Sequence, residues 1–205
     1  VYKRQHERVF KIVVFGDIRN FTTFTEMKLD SGISSVLSGF YRIVEETVEN
    51  YDGFKPEFIA DEFVTFFDNI EDAVSFCFEV RRRLSRFLKV YDLGVGLGVS
   101  SGVVLGGLFG GSTSKKYTYI GRVVNLASRL QSVALSGEIL LDSSSYKAIE
   151  SKVGLVSMRK YSLKGLNGNI LIYSIKEQDF DKSLIQIKWY KRLVKSIFAI
   201  FNIEL

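Results

Sequence analysis

The chain has 205 residues, 46% of them hydrophobic, which is enough for one domain with a substantial core. One cysteine, Cys77, excludes an internal disulfide and favours a reducing compartment. One histidine, His6, argues against a histidine-based catalytic triad or a histidine-rich zinc site. Much of the net charge of +5 comes from one helix face and the C-terminal residues, so we expect no specific nucleic-acid partner.

The first half of the chain alternates between strand-like and helix-like patterns. Residues 9–15 form an apolar run that predicts a buried strand, and the helical spacing of apolar residues predicts a helix over residues 33–50. Residues 55–60 and 62–67 predict a hairpin. Residues 70–90 repeat the amphipathic helical pattern.

The second half opens with a glycine-rich segment, residues 94–110, which predicts two strands around a tight turn at residues 100–102. A strand over residues 115–121 and a helix over residues 122–134 follow. The remaining predicted elements are a strand over 137–142, a short helix over 143–151 and strands over 154–163 and 169–176. This order predicts an α+β domain with helices packed on one face of a mainly antiparallel sheet.

Two carboxylates, Asp17 and Asp61, each follow an apolar run and stand where a predicted strand ends. On adjacent strands they can lie side by side, where their mutual repulsion would raise a pKa. A divalent cation relieves this repulsion, and Mg²⁺ typically takes one or two carboxylates together with phosphate oxygens. The turn at residues 18–22 offers free N–H groups that suit phosphate. The residues alone leave a second interpretation open, in which each Asp simply caps a helix.

Six sequence blocks occur in a fixed order: VVFGDIRNFTTFTE, FIADEFVTFF, GVSSGVVLGGLFG, YTYIGRVVNLASRL, GEILLDSSSY and YSLKGLNG. Together they resemble the class III nucleotidyl cyclase catalytic domain, the adenylate and guanylate cyclase family, over residues 8–176. The resemblance is specific because six separated blocks agree in order and spacing. It implies an α+β fold with a ferredoxin-like, palm-like core.

The resemblance also implies roles for individual residues. Asp17 and Asp61 match the two metal-binding aspartates, with Ile18 in the same site, and two ions, Mg²⁺ or Mn²⁺, are implied. Asn125 and Arg129 match the pair that acts in the transition state, where the Asn orients the ribose and the Arg stabilises charge on the α-phosphate. The phosphate-binding positions are Asn20, Phe21, Thr22 and Lys164.

The implied reaction is attack of the ribose 3′ hydroxyl of GTP or ATP on its own α-phosphate, with loss of pyrophosphate. In the family the site forms between two chains, with the aspartates from one and the Asn, Arg and Lys from the other. The resemblance therefore implies a homodimer with two shared active sites and an inactive monomer.

The family reads its purine with two side chains. Glu57 stands four residues before Asp61, where guanylate cyclases usually have Glu and adenylate cyclases Lys. Thr118 stands at the second position and suits either base. Lys55 complicates this interpretation, because a local change of register would bring it into the pocket, and Glu57 can also simply pair with it. We predict a preference for GTP, with ATP as the alternative.

Two departures from the family pattern are Arg122, where Asp or Asn is usual, and Ala60, where Gly is usual. Lys115 and Lys116 stand on the arm that often carries a further phosphate-binding Arg, and we assign neither. Two other functions stay open. One is a catalytically silent, cyclase-like module that only regulates or dimerises. The other is a diguanylate cyclase, and the ADEF tetrapeptide is the only sequence feature that supports it.

Residues 177–205 form a C-terminal extension that lies outside the resemblance. Apolar residues at helical spacing, interleaved with Lys and Arg, predict a basic amphipathic helix that packs on its own domain, on a partner or on an anionic membrane. No apolar stretch reaches the roughly 18 to 20 residues of a spanning helix. We expect a cytoplasmic domain, free or belonging to a membrane-bound protein, that is coupled to a regulatory or sensor region outside this chain.

Overall fold

A computed structural model describes residues 6–111, 113–153, 156–162 and 169–175. The strands are β1 (His6–Arg19), β2 (Glu57–Ile59), β3 (Glu62–Phe67), β4 (Gly94–Gly110), β5 (Lys115–Ile120), β6 (Ile139–Asp142), β7 (Ser157–Ser162) and β8 (Asn169–Ile175). The helices are α1 (Phe21–Met27), α2 (Asp30–Glu49), α3 (Ile70–Leu88), α4 (Arg122–Val133) and α5 (Ser143–Lys147). Short 3₁₀ turns occupy Lys89–Tyr91 and Glu150–Lys152.

The described strands form one eight-stranded sheet in the order β2-β3-β1-β4-β6-β8-β7, with β5 paired to β4. The pairing of β4 with β6 is parallel, and the other pairings are antiparallel. The predicted α+β fold with a mainly antiparallel sheet is therefore confirmed.

Strand β4 runs without interruption, so the tight turn predicted at residues 100–102 is wrong. The antiparallel register with β1 continues unbroken from Arg19 opposite Gly94 to His6 opposite Gly107. Ser100 and Ser101 are buried, and the Ser100 hydroxyl donates to Asp142 Oδ2 at 2.9 Å. A partner inside the fold thus satisfies a polar side chain that resembled a turn residue in the sequence.

The glycines of β4 serve close packing instead. A Cβ atom on Gly98 would lie 2.2 Å from the backbone nitrogen of Gln131 and 2.3 Å from the carbonyl oxygen of Ala127, both on α4. Only glycine lets the helix backbone approach the sheet so closely. This contact fixes the position of α4.

Helices cover both faces of the sheet, so the prediction of a single covered face is wrong. Along β1, Ile12 and Val14 join the large core that includes residues of α2 and α3. Val13 and Phe15 point the other way and join a second cluster with Ala127 of α4. Because β1 is buried on both faces, its apolar run is continuous rather than alternating.

The predicted long helices are confirmed, with small shifts of their ends. Helix α2 begins at Asp30, three residues before the predicted start. Helix α3 begins after Asn69, whose side chain accepts from the N–H groups of Glu71 and Asp72. Within the described part of the chain, no helix is long and apolar enough to cross a membrane. Residues 177–205 lie outside the described residues, so the proposed amphipathic helix stays a prediction.

Candidate active site

The sequence predicted Asp17 at the end of a strand, but it lies inside β1, two residues before the strand ends at Arg19. The strand continues to Arg19 because it is paired on both sides there: Asp17 stands opposite Glu62 of β3 and opposite Gly96 of β4. Alternation along the strand puts Asp17 on the face of Phe15, which is the face that α4 covers. The carboxylate is therefore held on a rigid, doubly paired element.

Asp61 lies in the tight turn between β2 and β3, as the predicted hairpin requires. The residue before it, Ala60, adopts a left-handed conformation with φ 51°. The Tyr41 hydroxyl of α2 donates to the Ala60 carbonyl at 2.7 Å, and the Ile18 N–H donates to the Asp61 carbonyl at 3.1 Å. The second bond ties the turn of Asp61 to the strand of Asp17, so the backbone brings the two predicted metal ligands together.

Asp17, Asp61 and Glu62 form an acidic corner of the sheet, and partial burial makes the charged forms of these carboxylates less favourable. Burial raises the pKa of Asp17 from its ordinary 3.8 to about 6; nearby Arg19 lowers that pKa, and Asp61 and Glu62 raise it further. Burial likewise raises the pKa values of Asp61 and Glu62. Carboxylates that lose water without gaining enough positive charge are the donor set that a divalent cation stabilises.

The described residues contain no cluster of three or more His, Cys, Asp or Glu side chains placed to hold a metal ion. Two carboxylates are nevertheless the usual protein share of a Mg²⁺ site whose remaining ligands are water and phosphate oxygens. The pair Asp17 and Asp61 therefore fits a metal that is bound together with a nucleotide.

Arg19 is a site residue that our sequence analysis missed. Its guanidinium lies 3.3 Å from Asp17 Oδ1 and donates to the carbonyl oxygen of Gln131 on α4. A Cβ atom on Gly96 would lie 2.5 Å from Arg19 Nε, so that glycine makes room for the guanidinium. The signal was available, because residues two apart on a strand share a face.

The predicted phosphate-binding turn leads into a short helix. Asn20 is left-handed, with φ 66°, and its side chain makes no capping hydrogen bond to α1. The Phe21 side chain is buried, so this residue can offer a phosphate only its backbone N–H, whereas Thr22 is exposed. The assignment of these three residues to phosphate stays a prediction.

Helix α4 carries both predicted transition-state residues. Asn125 is exposed and Arg129, one turn later, is half-buried. Among the described residues, no carboxylate lies within ion-pair distance of Arg129. A cationic side chain without a carboxylate partner among these residues suits an anionic ligand. Lys164, the remaining predicted phosphate ligand, lies outside the described residues.

The two predicted base-reading residues line one cavity. It has a volume of about 610 Å³ and brings Glu57 of β2 to the same space as Thr118 of β5, 61 positions later in the chain. The full lining is Phe54, Lys55, Pro56, Glu57, Phe58, Phe66, Lys116, Tyr117, Thr118 and Tyr119. Apolar and aromatic walls with a few polar groups are typical of a site for a flat base.

Glu57 pairs with Lys116, not with Lys55. Lys116 Nζ lies 2.8 Å from Glu57 Oε2. Lys55 stands in the coil before β2, so it does not share a strand with Glu57, although it lines the same cavity. The alternative of a Lys55–Glu57 pair is therefore wrong.

Comparison with known proteins decides the family. A model of the adenylate and guanylate cyclase catalytic domain matches residues 1–177. The chain belongs to this family. The resemblance seen in the six sequence blocks is confirmed. The acidic corner, α4 and the cavity therefore belong to a domain of the cyclase family.

The relatives of this cyclase domain include proteins named for either base. It is 25% identical over 199 residues to the terminal-differentiation specific adenylate cyclase of Dictyostelium discoideum, covering 87% of this chain and 9% of that protein. It is 26% identical over 134 residues to the receptor-type guanylate cyclase gcy-23 of Caenorhabditis elegans, covering 60% of this chain and 12% of that protein. The chain spans about a tenth of the length of these two relatives.

Among solved structures, the adenylyl cyclase CyaB from P. aeruginosa matches with a TM-score of 0.78 and 27% sequence identity. The match covers 87% of this chain and 100% of that one. Family and fold are thus established together, whereas the base that the domain accepts differs among its relatives.

Proposed function

We propose that this domain is a class III nucleotidyl cyclase that converts a purine nucleoside triphosphate, preferentially GTP, into the 3′,5′-cyclic monophosphate and pyrophosphate. The observation that carries the proposal is the half-buried pair of carboxylates, Asp17 and Asp61, joined through the hydrogen bond from Ile18 N–H to the Asp61 carbonyl. A structural role alone gives no reason to withdraw two acids from water beside each other at a strand and a turn.

Asp17, Asp61 and the carbonyl group of Ile18 would hold divalent cations, Mg²⁺ or Mn²⁺. When bound, two such ions supply charge neutralisation for the triphosphate and lower the pKa of the attacking hydroxyl. The protein contributes the fixed spacing of the two carboxylates. The Tyr41 hydrogen bond to the Ala60 carbonyl stabilises the turn that carries Asp61 and so helps to maintain this spacing.

Helix α4 supplies the remaining groups. We propose that Asn125 orients the ribose and that Arg129 donates to the α-phosphate as negative charge develops there. A positioned donor of this kind typically contributes about 10²- to 10³-fold in rate. The backbone contact of α4 with Gly98 fixes the helix against the sheet, which keeps the donors in place before the substrate arrives.

We propose that the active enzyme is a homodimer whose sites are shared between chains. Five large apolar side chains on β1, β4 and β5 are between 43% and 58% exposed: Phe10, Val103, Leu108, Tyr117 and Ile120. They include pairs that stand opposite each other on neighbouring strands, Phe10 with Val103 and Leu108 with Tyr117, and exposed apolar patches of this kind are typical of interfaces. By the family pattern, one chain would provide Asp17 and Asp61 and the other Asn125 and Arg129.

The preference for GTP rests on the cavity. Glu57 is an acceptor when ionised, and guanine presents donors at N1 and at the 2-amino group. Adenine N1 is itself an acceptor and would face the carboxylate with no proton between them. The adenylate cyclase alternative keeps one observation in its favour, because Lys55 lines the same cavity and offers a donor for adenine N1.

We further propose that the domain is coupled to a regulatory region outside this chain, since the matched regions make up only 9% and 12% of the two curated relatives. The catalytic role of the cyclase domain itself is tested by replacing Asp17 or Asp61 with Ala and measuring cyclic nucleotide formation with Mg²⁺ and with Mn²⁺. Loss of product with an unchanged circular dichroism spectrum is expected. Near-normal turnover by either variant would refute the assignment of the metal site.

A further inference from the structure

Arg19 joins the acidic corner to helix α4. Its guanidinium lies 3.3 Å from Asp17 Oδ1 and also donates to the carbonyl oxygen of Gln131 on α4. The Arg19 side chain is 20% exposed and rests against Gly96 of β4, where a Cβ atom would lie 2.5 Å from Arg19 Nε. One side chain thus contacts both the strand of a proposed metal ligand and the helix of the proposed transition-state residues.

The contact with Gln131 is made at the C-terminal end of α4, which ends at Val133. Carbonyl groups in the last turn of a helix lack partners further along the helix and carry partial negative charge, so a cation there is stabilising. The Gln131 carbonyl accepts the Ala134 N–H at 3.1 Å and, besides this bond, the Arg19 guanidinium. Arg19 therefore acts as a cationic cap on α4.

The charge of Arg19 also acts on the whole acidic corner. Burial raises the pKa values of Asp17, Asp61 and Glu62, and the positive charge of Arg19 lowers each of them. Arg19 Nε is buried and finds no acceptor among the described residues, so complete hydrogen bonding does not explain where the guanidinium lies. Its position is favoured by its charge, which lies beside both the carboxylates and the end of α4.

We propose that Arg19 takes the place of a divalent cation in the metal-free domain, and that Asp17 exchanges this guanidinium for the cation on metal binding. This inference rests on the metal site proposed above for the acidic corner. Because two positive charges then compete for one carboxylate, metal binding leaves Arg19 with the Gln131 carbonyl as its partner and strengthens the cap on α4. Metal occupancy is thereby coupled to the helix that carries Asn125 and Arg129.

The exchange is tested by Mn²⁺ binding to the nucleotide-free chain at pH 7.5, measured from the electron paramagnetic resonance signal of unbound Mn²⁺. Arg19→Met should bind Mn²⁺ about ten-fold more tightly, the repulsion expected between a divalent ion and one nearby unit charge at high dielectric. Arg19→Gln removes the same charge but keeps an amide donor for the end of α4. It should show the same tightening, so the test does not depend on the folding of the methionine variant.

Two control variants separate the local charge from other effects. Arg19→Lys keeps the positive charge, so its affinity for Mn²⁺ should stay within about two-fold of wild type. Arg82→Met removes an arginine that pairs with Glu79 on α3, away from the acidic corner. It makes the same change in net charge and should leave Mn²⁺ binding unaltered.

Hydrogen exchange of α4, followed by mass spectrometry, measures the coupling. Saturating Mg²⁺ should slow exchange in residues 130–134 of the wild-type chain about three-fold, the size that a cation typically contributes at a helix end. In Arg19→Met the same addition should leave this exchange unchanged. A purely structural role of Arg19 would instead give faster exchange in the variant and no response to metal in wild type.

Unchanged or weaker Mn²⁺ binding in the two uncharged variants would overturn the exchange, and wild-type exchange in residues 130–134 that ignores Mg²⁺ would overturn the coupling to α4. Production of cyclic nucleotide by the wild-type chain is measured in parallel. If the chain makes no cyclic nucleotide yet the uncharged variants bind Mn²⁺ more tightly, the proposed reaction fails and the role of Arg19 stands. If the wild-type chain binds no Mn²⁺, both fail.

Discussion

Asp17 should destabilise the folded chain at neutral pH, and Asp17→Asn should remove that cost. Burial raises the pKa of this carboxyl from its ordinary 3.8 to about 6. The folded state therefore holds the proton more tightly than the unfolded state does. The stabilisation that follows is fully present below about pH 4 and is lost as the pH rises through about 6.

The size of the effect follows from the same values. One pKa unit corresponds to about 1.4 kcal/mol, which would give about 3 kcal/mol for the full difference. The Asp17 side chain is 24% exposed, and solvent screening reduces this to about 1 kcal/mol. We expect the asparagine variant to be about 1 kcal/mol more stable at pH 7.5 and nearly equal to wild type at pH 4.

Urea unfolding followed by circular dichroism at pH 4, 5, 6, 7 and 7.5 measures this difference. Glu45→Gln on the exposed surface of α2 removes the same charge and should show no such trend. Saturating Mg²⁺ should stabilise wild type more than Asp17→Asn, because the variant keeps only one of the two carboxylates proposed to hold the ion. A variant less stable than wild type at pH 7.5 without metal would show that the charged carboxylate stabilises this corner, and would refute the reasoning.

Three further predictions concern the site and its assembly. Mixing inactive Asp61→Ala and Arg129→Ala chains should restore about a quarter of wild-type activity, because half of the dimers are mixed and each has one intact site; no recovery in mixtures that demonstrably exchange chains would contradict shared sites. Tyr41→Phe should raise the Mg²⁺ concentration needed for half-maximal activity about five-fold, since it removes a hydrogen bond worth about 1 kcal/mol from the turn before Asp61. An unchanged Mg²⁺ titration would mean that the turn keeps its conformation without this hydrogen bond. Ala60→Gly should raise the free energy of unfolding by about 0.5 to 1 kcal/mol, because φ is 51° there and a Cβ atom is strained in that region; a loss of stability in urea would show that the methyl group packs usefully.

The elements predicted correctly from the sequence are those that are specified by residues near one another in the chain. Apolar residues at helical spacing marked α2 and α3, and the strand–turn–strand pattern around Asp61 marked the hairpin. Glu57 and Thr118 were chosen through the family resemblance, and the structure places both at one cavity. Each of these predictions depends on residues close in sequence or on matched blocks, and the base-reading role of Glu57 and Thr118 stays a prediction.

The errors arose where distant contacts decide the structure. Glycines in residues 94–110 resembled a turn, but Gly98 is small because α4 packs against it from about 30 residues later in the chain. The apolar run stops at Phe15, which predicted that the strand ends at Asp17. Pairing with both β3 and β4 carries the strand past Asp17, and the pairing with β4 continues to Arg19.

The partner of Glu57 could not be predicted from sequence spacing. Lys55 was the near candidate in the chain, whereas Lys116 is brought to Glu57 only by the folding of β5 against β4. No periodicity links residues 57 and 116. Arg19 differs, because its spacing from Asp17 on a strand already put both side chains on one face.

The preference for GTP is tested most directly by the ratio of kcat/KM for GTP to kcat/KM for ATP, measured on purified protein at matched Mg²⁺. Glu57 accepts from two donors of guanine and meets an acceptor in adenine, so we predict a ratio of about ten to one hundred, or roughly 1.4 to 3 kcal/mol. Glu57→Lys should move the ratio toward ATP. Faster conversion of ATP than of GTP by the wild-type chain would contradict the account and would point to Lys55 as the residue that reads the base.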